Sequence, residues 1–103
     1  MYKLNFYVPS QNKEEVKKAL FNIGVGKFNN YDKCSFETQG IGQFRPINGA
    51  NPFLGQLDTV ELVKEYKIEM ICEDSQIREA VKVLKESHPY EEVAYEVFKM
   101  EEF

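Results

Sequence analysis

Two strand–helix–strand units in tandem predict an α+β fold, a four-stranded antiparallel sheet with two helices on one face. Three features of the 103-residue chain carry this expectation. Tyr2 to Val8 alternates apolar and polar residues, as a half-buried strand does. An amphipathic stretch follows, with Val16, Ala19, Leu20 and Ile23 along one side. The succession then returns, with Tyr66, Ile68, Met70 and Cys72 in phase with Tyr2, Leu4, Phe6 and Val8.

Each element has its own local signals. Pro9 closes the first strand, and Asn12 with Glu15 predicts an N-cap and capping box for the first helix. Gly24 supplies the stop after it. Cys34, Phe36 and Thr38 alternate with Ser35 and Glu37 as a second strand. After the third strand, Tyr66–Cys72, either Asp74 or Ser75 caps a second helix with Ile77, Ala80, Val81 and Leu84 inward. Val93, Tyr95 and Val97 alternate with Ala94, Glu96 and Phe98 as a fourth strand. Strand–helix–strand twice over is the ferredoxin-like split βαβ arrangement, and right-handed crossovers put both helices on one face.

Composition bounds the function. Hydrophobic residues make up 43%, too many for intrinsic disorder, and the length fits a single domain over residues 1–103. With 13 basic against 17 acidic residues, net charge −4, and no basic cluster, nucleic acid and anionic membrane surfaces are poor partners. No apolar run approaches the roughly 20 residues that cross a bilayer, and the first strand lacks the apolar block of a signal peptide. A cytoplasmic location is expected. Cys34 and Cys72 stand far apart without a Cys-x-x-Cys pair, which predicts buried free thiols rather than a disulfide framework or zinc knuckle.

The face opposite the helices is expected to carry Lys3, Asn5, Tyr7, Ser35, Glu37, Ile71 and Phe98 among others. Tyr7, Ile71 and Phe98 together suggest self-association, against the alternative that each is singly tolerable in water.

Two segments carry the candidate sites. The first is a long loop at about 40–60, rich in Gly, Pro and Asn yet holding Ile41, Phe44, Ile47, Phe53 and Leu54. Its Arg45, Asn48, Asn51 and Phe53 are candidate ligand or partner contacts. It is neither a phosphate loop nor a dinucleotide fingerprint. The second is His88-Pro89-Tyr90-Glu91-Glu92. A His beside carboxylates is a candidate divalent-metal site, with His88, Glu91 and Glu92 as ligands. The alternative is a helix stop and a solvated acidic pair. No nucleophilic constellation is evident, although a Cys–His pair in space stays open, so an enzyme is the weaker reading.

Gly40-Ile41-Gly42-Gln43-Phe44-Arg45-Pro46, Gly49-Ala50-Asn51-Pro52-Phe53-Leu54-Gly55 and His88-Pro89-Tyr90-Glu91-Glu92-Val93-Ala94-Tyr95 occur in that order. Together they resemble the stand-alone form of the YqfO-type insert domain of the Nif-three-like family. The resemblance implies a fold similar to the CutA and PII signalling proteins, which assemble as trimers. It carries over no catalytic residue, because the family's dinuclear metal ligands lie in a flanking module. The implied function is a non-enzymatic trimeric regulatory or sensing module. Such a module would bind a small ligand or divalent metal at subunit clefts, with a further protein partner possible through the loop. The alternatives are a purely structural or interaction trimer and, third, a small enzyme built at the interface.

Overall fold

A computed structural model describes all 103 residues. Six elements run in the expected order: β1 Tyr2–Pro9, α1 Lys13–Asn22, β2 Phe36–Phe44, β3 Glu61–Cys72, α2 Ile77–Ser87 and β4 Tyr95–Lys99. The sheet is antiparallel throughout, in the order β2-β3-β1-β4. This is the ferredoxin-like arrangement.

The repeated alternation becomes the core. Leu4 faces Met70 and Phe6 faces Ile68 across the β1–β3 pair, and all four are buried. Val16 and Leu20 from α1 and Ala80 and Leu84 from α2 close over them in one cluster, so both helices lie on one face. Each large side chain buried there contributes about 1.5–3 kcal/mol.

The helix ends divide the sequence expectations. Neither helix has a side-chain N-cap; 3-10 turns at Ser10–Asn12 and Asp74–Gln76 lead into them instead. Tightened i→i+3 bonds there replace the capping box expected of Asn12 and Glu15. The stop at Gly24 is as read. Its N–H reaches the Phe21 carbonyl at 3.0 Å and the Val25 N–H reaches Leu20 at 3.2 Å, a Schellman motif with φ +93° at the glycine.

Strand β2 differs in start and in phase. It begins at Phe36, and Glu37 pairs with Ile68, which puts Glu37 on the helix face rather than the open one. The cause is α1: Lys13 and Lys17 hold the Glu37 carboxylate at 2.6 and 3.1 Å. The Lys13 hydrogen bond keeps that carboxyl below the usual carboxylate range. Phe36 and Thr38 take the open face instead. Likewise β4 begins at Tyr95, two residues after Val93.

Gly40-Ile41-Gly42 is strand, not loop. Gly42 is tolerated in β2 because a Cβ there would overlap the Glu65 carboxylate lying across the strand. The true connection runs from residue 45 to residue 60. The outer part of β3, before Glu65, pairs only with β2, so this ribbon projects past the rest of the sheet. Ile41 and Leu62 stand exposed on it.

The open face is mixed rather than apolar. Ile71 and Phe98 flank Lys3, which pairs with Glu69 at 3.3 Å, while Tyr7 donates to Glu96 at 2.6 Å. Between them Asn5 is buried, and its Oδ1 has no hydrogen-bond partner. The start of β1 and the end of β4 lie side by side, Tyr2 opposite Lys99, with the Met100 N–H donating to the Met1 carbonyl at 3.0 Å. No helix is long and apolar enough to cross a membrane.

Both cysteines are free, but only Cys72 is fully buried; Cys34 is half-exposed. Burial pushes the Cys72 thiol up to about 11. In native protein at pH 8 a thiol reagent is therefore expected to label Cys34 alone, with Cys72 reacting only in denaturant. Two labels on native protein, read by mass spectrometry, would contradict the packing.

Candidate ligand pocket

His88 ends α2. Its backbone is extended, as a residue before proline prefers, while its N–H still reaches the Leu84 carbonyl at 3.0 Å. This turn points the imidazole inward. Nε2 lies 2.7 Å from the Tyr7 carbonyl, which only a ring N–H can satisfy, and Nδ1 accepts the Tyr90 N–H at 3.1 Å. Tyr7 sits just past the end of the β1–β4 pairing, so the ring supplies a partner that the short strand does not. Burial lowers the ring's pKa from its ordinary value, which favours this neutral form.

The next residues reach three other elements. The Tyr90 hydroxyl donates to Glu65 Oε2 at 2.9 Å, and its ring meets Phe44 edge-on at 5.7 Å and Phe53 at 6.3 Å. Burial, then the Glu65 hydrogen bond, pushes the Tyr90 phenol well above its ordinary pKa. Glu91 accepts the Asn51 N–H with both oxygens, at 2.9 and 3.2 Å. The 88–92 turn thus ties β1, β3 and the 45–60 connection together.

Between that turn and the connection lies a pocket of about 470 Å³. Arg45 and Phe53 line it, with Phe44, Pro46 and Leu54 as apolar wall and Glu65 and Tyr90 on the β3 side. Glu91 and Glu92 also line it. Asn51 clamps the loop from outside, whereas Asn48 is exposed and does not line the pocket. Glu65 and Tyr90 were not singled out from sequence. The alternation Lys64-Glu65-Tyr66 makes Glu65 look like a solvated strand residue, and only its register opposite Gly40 gives it away.

Within one subunit His88, Glu91 and Glu92 are not gathered as a ligand set. Both His88 nitrogens are engaged by backbone, and no group of three or more His, Cys, Asp or Glu side chains is placed to hold an ion. A ligating His88 would first have to give up its bond to Tyr90.

No protein-family model matches the sequence. The chain is 41% identical to the "GTP cyclohydrolase 1 type 2 homolog" of Bacillus subtilis, over 97% of this chain but 27% of that protein. It aligns with the crystal structure of a Bacillus cereus protein related to NIF3 at a TM-score of 0.83. The identity there is 38%, over 98% of this chain and 26% of that one. Crystalline CutA1 from Pyrococcus horikoshii superposes at a TM-score of 0.73 with 16% identity, over 100% of this chain and 86% of that one, a likeness of fold alone. The chain spans about a quarter of the length of the curated relatives it matches. By sequence and by fold, these residues are homologous to a single ferredoxin-like domain of Nif-three-like proteins.

Proposed function

We propose that the domain is a non-enzymatic regulatory or sensing module that assembles as a trimer and takes up a small ligand in the pocket between the 45–54 loop and the 88–92 turn. The observation that carries this reading is the convergence of the two motifs on one cavity, in which neither the only histidine nor a thiol is free to act. His88 is consumed by backbone, and the Tyr90 and Cys72 pKa values are raised. Such a cavity, apolar with a few convergent polar groups, is what small-molecule sites look like.

Support for self-association comes from the open face. The unpartnered Asn5 Oδ1 costs about 1–3 kcal/mol until a donor reaches it, and Ile71, Phe98 and Phe36 share its face of the sheet. The exposed Ile41 and Leu62 on the projecting ribbon favour a second reading, in which that ribbon contacts another protein.

Two measurements test the proposal. Light scattering at micromolar concentration should give three times the 12.0 kDa chain mass, and a monomer at every concentration would remove the trimer. A thermal-shift screen of small molecules should find compounds that stabilise the wild type. Those shifts should vanish when Pro46–Leu54 is replaced by a Gly/Ser linker. Equal shifts in both proteins would remove the pocket.

A further inference from the structure

Resting on the pocket as the ligand site, we infer that its ligand is a small organic cation, an ammonium head on an apolar body. Glu65 is 9% exposed, and its carboxylate lines the pocket. Oε2 accepts the Tyr90 hydroxyl, Oε1 accepts nothing from the chain, and no ion pair includes this residue. Oε1 is thus free to face a ligand, and no cation of the chain competes for it.

The walls suit the same ligand. Phe44, Phe53 and Tyr90 all line the pocket, with Phe44 and Phe53 at 65° and 53° to the Tyr90 ring, so the wall offers aromatic faces in differing orientations. Such faces attract cations, and most strongly where water is excluded. At the rim Glu91 and Glu92 outnumber Arg45, the one basic residue lining the pocket. An anion would meet Glu65 at the floor, and a bare divalent ion would find no third donor.

The test compares three single-ring probes that differ in head-group charge on the intact chain: benzyltrimethylammonium, benzyl alcohol and benzoate, titrated by NMR and calorimetry. The cation is expected to bind at least about tenfold more tightly than the alcohol. Glu65→Gln, which keeps an acceptor for Tyr90, should erase most of that preference while leaving alcohol binding in place. Phe53→Ala, at a ring already 54% exposed, should weaken the cation several-fold even if Glu65→Gln misfolds by circular dichroism. Equal or tighter binding of the alcohol or benzoate overturns the cation assignment and leaves the pocket standing. No binding by any of the three overturns both.

Discussion

Replacing His88 by Ala is expected to destabilise the domain by about 3–5 kcal/mol. Two backbone groups lose their partners, the Tyr7 carbonyl and the Tyr90 N–H, at about 1–3 kcal/mol each where water cannot reach. A cavity at a 6% exposed site adds to this. At roughly 4–8 °C per kcal/mol for a domain of this size, Tm should fall by about 12–40 °C. The same residue sets a pH dependence. Burial holds the folded ring's pKa below its unfolded value, so the unfolded chain binds the proton first as pH falls. His88's contribution is therefore full above about pH 6.5 and is lost as pH drops through the folded pKa. Urea melts of wild type and His88→Ala between pH 5 and 8 check both parts. A loss below about 1 kcal/mol at pH 7.5, or parallel pH profiles for the two proteins, would mean the ring is not the strut described above.

Gly26→Ala is expected to cost about 2–4 kcal/mol. The backbone there has φ +84°, where a Cβ costs about 1–2 kcal/mol. That Cβ would lie 2.7 Å from the Cys34 carbonyl oxygen and 3.1 Å from the Phe21 ring. Neither can retreat easily. The Gly26 N–H is bonded to Ile71 at 2.9 Å and its carbonyl to Cys34 at 2.8 Å, so the strain passes into the sheet. Gly40→Ala is the control, because nothing lies within 4 Å of its added Cβ. It should change stability by less than about 0.5 kcal/mol. Matching chemical denaturation curves for the two variants would contradict the packing around Gly26.

The parts of the fold legible in the sequence are those where one face is buried and the other is not. Leu4, Phe6, Ile68 and Met70 lie on central strands under two helices, and their alternation reports that burial directly. Edge strand β2 has polar residues on both faces, so alternation loses its meaning. Glu37 faces the helices only because Lys13 and Lys17 meet it there, a pairing between distant residues that periodicity does not encode. Gly40 and Gly42 look like loop residues because glycine disfavours strands, and only the Glu65 carboxylate over Gly42 explains their place. In the pocket, Arg45, Phe53, Glu91 and Glu92 were legible as members of two motifs, but the meeting of those motifs was not. Glu65 was hidden altogether, since its burial arises from Tyr90 and Gly42, neither of them near it in sequence.

The side-by-side position of the first and last strands has a topological consequence. Chain entry and exit are neighbours in an antiparallel pair, where opposed Cα atoms stand only about 4.5–5.5 Å apart. A folded unit with such ends can be spliced into a surface turn of a host protein without prising the host apart. The host sees little more than a slightly longer turn, and lengthening a turn costs little closure entropy. The graft also leaves the unit's own core untouched, because Leu4, Phe6, Ile68 and Met70 bury against the two helices, away from the splice point. A domain of this geometry is portable between proteins in a way that one with distant ends is not.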